Sequence, residues 1–218
     1  MIQVLETALL DIYDIGGPVV VLMLAVSVLT LAVVLYKFWQ FSAAGVGRHK
    51  ALARAVTAWD AGDIALAKRE LQTSQSYLAP VVSMAFSQKF DRHRLETEAE
   101  TRFAKLEGGL RVLDSVAQLS PLLGLFGTVL GMISAFQALQ DAGSQVDPSI
   151  LAGGIWVALL TTAVGLVIAM PTSIVLSWFE SRLDRDRVLA GQAISTIRSP
   201  GVVEPAVVSE TRTALAHA

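Results

Sequence analysis

GLFGTVLGMISAF (residues 124–136) and LAGGIWVALLTTAVGLVIAMP (residues 151–171) carry no charged side chain. Working outward from the first, the next charges are Asp114 and Asp141; around the second they are Asp147 and Glu180. A third charge-free run lies between Asp14 and Lys37. A bilayer core is crossed by about 20 apolar residues in a helix, so each run predicts a transmembrane span. Tyr36, Trp39 and Trp178 fall near span ends, where amphipathic rings prefer the interface. Charge is displaced into the remaining segments. The chain is 53% hydrophobic and only 17% charged, against about 25% charge in soluble domains.

The predicted fold class is an all-α integral membrane protein: three transmembrane helices, with long helices extending into the cytoplasm. The expected boundaries are an N-terminal segment at 1–15, spans at 16–39, 113–139 and 150–178, an insertion at 40–112, a short loop at 140–149 and a tail at 179–218. A cleaved signal peptide has a basic start and a short apolar core. The leader MIQVLETALLDIYD instead carries Glu6, Asp11 and Asp14 with no Lys or Arg, so a retained first helix is expected. All 17 Lys and Arg lie between Lys37 and the second span, or after the third. Basic residues stay in the cytoplasm, which predicts an N-terminus outside and a C-terminus inside.

Composition also excludes. There is no cysteine, hence no disulfide framework and no thiolate metal site or nucleophile. A net charge of −2 and the lack of any DNA- or RNA-binding motif give no reason to expect nucleic acid. No metal and no cofactor are expected. The spans hold no paired carboxylates, no histidine cluster and no nucleophile–base set, so an enzyme is not expected.

Between Phe41 and Arg111, apolar residues recur at helical spacing in Ala51, Ala55, Ala58 and Trp59, and again in Ile64, Leu66, Ala67 and Leu71. Gly62-Asp63 reads as a turn with an N-cap. Pro80 is expected to open a second long helix running through FDRHRLETEAETRFAKLEGGLRVLD, which makes the insertion a helical hairpin. His49, His93 and His217 are scattered without metal-ligand spacing and are expected at the surface. After Arg187 the periodicity is expected to fade, with disorder beyond about Ser199, where Pro200, Gly201 and Pro205 follow.

At about 100° per residue, Ser120, Gly124, Gly127, Gly131 and Ser134 share one face of the second span, with Thr128 at its edge. Ala158, Thr161, Thr162, Gly165, Ala169, Thr172 and Ser173 share a face of the third. Small residues let helices approach closely in lipid. Either stripe alone reads as a packing groove. Two on successive spans also suit a pair that surrounds a water-filled path or a helix of another chain. For Thr162 the plain alternative is a hydroxyl bonded back to the Ala158 carbonyl. Pro171 cannot donate to the Val167 carbonyl, and a kink is expected there. The first span has no small-residue stripe and is expected to face lipid.

At these residues the chain resembles the ExbB/TolQ/MotA proton-channel proteins. GLFGTVLG and LAGGIWVALLTTAVGLVIAMP carry the resemblance, with LEGGLRVLDSVAQLSPL (106–122) and WDAGDIALAKREL (59–71) in support. Three spans resemble ExbB or TolQ, whereas MotA-type proteins have four; LAGGIW and ALLTTA are more similar to ExbB. The resemblance implies a bacterial inner-membrane protein with a periplasmic N-terminus and a cytoplasmic C-terminus. It implies a homo-oligomer, a pentamer, around the single helices of an ExbD-type partner. Proton flow would then drive a TonB-type protein that energises outer-membrane transport. A TolQ-like role in the Tol-Pal envelope system, or a non-conducting scaffold, is the alternative. The family's pore-lining threonines fall on Thr128 and Thr162, with Thr161, Ser134, Ala158 and Gly165 expected beside them. Gly124, Gly127, Gly131 and Pro171 are expected to serve packing and the kink. Many relatives carry a glutamate in a pattern like GIxEALL; here GGIWVALL puts Val157 at that position. No carboxylate is left between Gln118 and Ala138 or between Ile150 and Ser177, so the proton-carrying acid is expected from another chain.

Overall fold

The computed structural model describes residues 2–141 and 148–199, with side chains from Gly17 onward apart from that of Ile150. These residues form α1 (Ile2–Ala44), α2 (Lys50–Asp60), α3 (Ile64–Gln72), α4 (Ala79–Phe86), α5 (Arg92–Glu107), α6 (Leu110–Asp141) and α7 (Pro148–Arg198). Among the described residues, three stretches are long and apolar enough to cross a membrane: Gly17–Ala44, Leu110–Asp141 and Leu151–Arg198, with mean hydropathies of 2.8, 1.8 and 2.2. The leader is itself helical. It meets the first span at Gly17, whose φ of 69° and ψ of −172° break the helix. Pro18 follows with its φ preset for a new first turn.

The chain divides into two compact units. The first comprises residues 1–43 and 103–184, the second residues 44–102 and the chain from 185 onward.

In the first unit, α6 and α7 meet along their small-residue faces. Beyond the seam, Phe41 and Phe38 pack on Phe179 with ring centroids 4.6 and 5.0 Å away. Lys37 is almost wholly buried, at 1% exposure. Its ammonium donates to Gln40 Oε1 at 2.7 Å and to the Leu106 carbonyl at 2.9 Å. That carbonyl belongs to the last turn of α5, where helices leave acceptors unsatisfied. Gly109 then turns the chain with φ 88°, and a Cβ there would sit 3.2 Å from Lys37 Cε. The lysine thus fixes the point where α5 stops and α6 begins.

The second unit differs from the expected hairpin. The turn at Gly62 is as read, and Asp63 Oδ1 accepts the Leu66 N–H at 2.9 Å. Pro80 does lie in the first turn of a helix, but that helix is short. The run from Pro80 is broken at residues 87–91. Gln88 adopts φ 55°, and its side chain donates to the Ile197 carbonyl at 3.1 Å. Asp91 then starts α5 by accepting the Arg94 N–H at 3.1 Å. Short helices α2 to α4 and most of α5 therefore replace two long ones.

The tail is also corrected. α7 runs to Arg198 without losing its period, burying Ala190, Ala193, Ile194 and Ile197. Two of those four are alanines, which contribute little to an apolar pattern read by eye. The disorder expected past Ser199, His217, and the loop residues 142–147 lie outside the described residues.

Candidate functional site

The hydroxyl-bearing stripes of α6 and α7 face each other inside one chain. Their contact is close enough to require glycine. A Cβ on Gly127 would lie 2.7 Å from Thr161 Oγ1, and one on Gly165 would lie 2.6 Å from the Ser120 carbonyl. Gly124 faces the Thr161 and Thr162 backbone, and Gly131 faces Ala158. This is backbone-to-backbone packing of the kind small residues permit in lipid.

The predicted residues separate by position. Thr161, Ala158 and Gly165 are buried in the seam. The Thr161 hydroxyl donates to the Ala158 carbonyl at 2.7 Å, with the Gly124 carbonyl at 3.2 Å on the facing helix. The back-bond weighed for Thr162 is therefore made by its neighbour. Thr162 instead reaches across to the Gly124 carbonyl at 3.4 Å and stays half-buried. Thr128 is half-buried too, its hydroxyl donating to the Leu125 carbonyl at 2.6 Å. Ser134 is exposed. Pro171 sits on the exposed side of α7, which runs on through it.

A cavity of about 430 Å³ opens beside the seam, lined by Pro18, Leu130, Ser134, Ala138, Val157 and Thr161 among others. Ser134 and Thr161 supply its side-chain polarity. Val157 places an isopropyl group on this wall.

A second polar cluster, in the second unit, overturns one expectation. His49 is buried at 8% exposure, not on the surface. Its Nδ1 lies 2.8 Å from Ser76 Oγ and its Nε2 lies 2.9 Å from Asp186 Oδ1. Tyr77 donates its hydroxyl to Asp186 Oδ2 at 2.8 Å. Burial, and next the charge of Asp186, push the Tyr77 phenol far above its usual range, so it stays a donor. Ser76 and Asp186 are 5% and 3% exposed. The order Ser–His–Asp is that of a nucleophile set, but its oxygen is shielded and already accepts the Leu78 N–H at 3.1 Å. No spacing rule reveals this group, because His49, Ser76 and Asp186 stand on three separate segments.

Residues 60–189 match the model of the MotA/TolQ/ExbB proton channel family. The chain is 32% identical over 169 residues to the putative biopolymer transport protein ExbB-like 1 of Synechocystis sp., covering 74% of this chain and 66% of that one. It is 46% identical over 67 residues to the biopolymer transport protein exbB1 of Vibrio cholerae, covering 31% and 29%. It is 41% identical over 78 residues to the Tol-Pal system protein TolQ of Pseudomonas aeruginosa, covering 36% and 33%. The match thus spans less than two thirds of each of these relatives.

Proposed function

The chain belongs to the MotA/TolQ/ExbB proton channel family, and from that membership we propose that it is an ExbB-like subunit of an inner-membrane energiser. In this reading several copies, five by the family resemblance, surround the helices of an ExbD-type single-span partner. Proton flow through the assembly drives a TonB-type protein. The N-terminus is periplasmic, the C-terminus is cytoplasmic, and α1 forms the lipid-facing outer wall.

The observation that supports it most is the pair of half-buried hydroxyls at the rim of the seam, Thr128 and Thr162. Both carry a donor and lone pairs on an otherwise apolar wall. Ser134 continues the path, while Thr161, Ala158 and Gly165 hold the two helices in register behind it. Alcohols do not titrate near neutral pH, so this wall carries water and not a proton of its own. A bare charge in the bilayer centre costs several kcal/mol or more. No carboxylate stands between Asp114 and Asp141 or between Asp147 and Glu180, and Val157 adds none. The titrating acid is then a carboxylate of the partner helix, at the level of Thr128 and Thr162. Protonated, it rests on the apolar wall; ionised, it turns to the hydroxyls and water. Alternation between these states couples proton passage to movement of the partner.

The test is partner-dependent uptake by cells carrying Thr162→Val and Thr128→Val together, with assembly checked by co-purification. The side chains are nearly equal in volume, so assembly should persist while transport falls. Wild-type uptake in the double variant would remove the hydroxyls from the path. The similarity to a TolQ protein favours a second reading, service in a Tol-Pal system. Complementation of strains lacking one or the other energiser separates the two.

A further inference from the structure

Arg182 is the first basic residue beyond the third charge-free run, one turn past Trp178 on α7. Its guanidinium carbon lies over the Trp178 ring, 5.3 Å from the centroid, within cation–π range. Among the described residues, no acceptor reaches its Nε, which is shielded from water, and no ion pair includes the group. A charged donor left in this state is costly, and native structures satisfy nearly all such groups.

The acids nearby do not fill the role. Glu180 and Asp184 stand two residues to either side, which at about 100° per residue puts both on the far side of the helix. Asp186, one turn on, accepts from Tyr77 with one oxygen and meets His49 with the other. Nor does a second free cation stand beside this ring. Phe38 of α1 packs on Trp178 with centroids 5.4 Å apart, but its neighbour Lys37 is buried and bonded to Gln40 and the Leu106 carbonyl.

Below Trp178 on the same face of α7 run Ile174, Met170 and Val167, each between 57 and 71% exposed. From Val167 to Trp178 the helix rises about 16 Å. That is about half of the 30 Å hydrocarbon core, the depth of one leaflet. The stripe thus fits one acyl chain, with an amphipathic ring at its headgroup end.

We propose that this face binds one anionic phospholipid, its phosphodiester on the Arg182 guanidinium and an acyl chain along Val167, Met170 and Ile174. The planar fork of arginine matches phosphate oxygens, and stacking on Trp178 restricts the orientations it must give up on binding. A net-negative headgroup supplies the counter-charge that Arg182 lacks, whereas phosphatidylcholine brings a cation of its own. The site is read from the end of one span and does not depend on whether the assembly conducts protons.

The test is native mass spectrometry of the full chain in detergent, titrated with phosphatidylglycerol or phosphatidylcholine of matched chains. Phosphatidylglycerol should be retained about fivefold more strongly, the effect of one basic residue at a membrane surface. Arg182→Gln should bring the two lipids level, and Arg182→Lys should keep part of the preference. Equal retention by the wild type, or an unchanged preference in Arg182→Gln, overturns the site. Excess inorganic phosphate should leave the lipid in place; its displacement would mean an anion site that needs no lipid, and would overturn the proposal too. Photolabelling the unaltered protein in nanodiscs with a diazirine-bearing phosphatidylglycerol gives the location without any variant. Adducts are expected within residues 167–182. Labelling elsewhere but not there, as when a second copy of the chain covers this face, contradicts the proposal.

Discussion

The seam of the first unit and the His49 cluster of the second both bury polar groups, and they do so in opposite ways. In the seam, hydroxyls are satisfied by backbone carbonyls one turn away or directly across a helix pair. Thr161 bonds to Ala158 and lies against Gly124. Nothing there titrates. In the His49 cluster, side chains from three segments satisfy each other. A seam of glycine and threonine is therefore insensitive to pH but intolerant of volume. A buried His–Asp cluster tolerates little loss of partner. Substitutions should expose that contrast.

The largest effect is expected in the seam. Gly165→Val would drive a branched side chain into the Ser120 carbonyl, which a Cβ at this position would already approach to 2.6 Å. Backbone cannot yield cheaply, so about 3 kcal/mol or more of helix-pair stability should be lost. Thermal unfolding in detergent, with cross-linking between cysteines introduced on α6 and α7, measures it. An unchanged melting temperature would mean that the seam opens in the membrane.

Next comes the His49 cluster. His49→Ala leaves Ser76 and Asp186 without their shared partner, at a cost of about 1–3 kcal/mol for buried groups left unsatisfied. Limited proteolysis of the second unit should accelerate while the α6–α7 seam stays protected. Equal destabilisation of both would show one cooperative block in place of two units.

A smaller effect separates adjacent threonines. Thr161→Val removes a buried hydroxyl with two carbonyls in reach and should cost about 1 kcal/mol. Thr162→Val loses one long contact and should cost less in stability but more in transport. Paired melting curves and uptake rates decide this; the reverse order would exchange the roles of the two residues.

The smallest is at a helix end. Asp91→Ala removes the acceptor of the Arg94 N–H and should cost about 1 kcal/mol. Circular dichroism at intermediate temperature would show earlier fraying of α5 with α6 and α7 unchanged.

What could be read from the sequence follows the same contrast. The seam was legible because its residues lie on two helices with a fixed step of about 100° per residue, so Gly124, Gly127 and Thr161 declare a face before any contact is known. The presence of three spans was legible because charge is excluded from lipid. The His49 cluster was not, since His49 pairs with Asp186, far along the chain on α7, and one histidine in a polar segment carries no periodic signal. Lys37 was legible only as the end of a span; its role in closing α5 depends on the Leu106 carbonyl, 69 residues on. The break at Gln88 had one local sign, Asp91 as an N-cap, which the alternating charges around it obscured. The length of α7 was missed because Ala190 and Ala193 bury a face with little hydrophobic mass.

The most direct test of the proposed channel is proton flux into proteoliposomes that hold this chain with its single-span partner, under an imposed potential. Flux should require both proteins. It should be abolished when the partner's membrane carboxylate is replaced by its amide, and it should fall severalfold in Thr162→Val with the complex intact. Flux from this chain alone, or undiminished flux without the partner's carboxylate, would contradict the account.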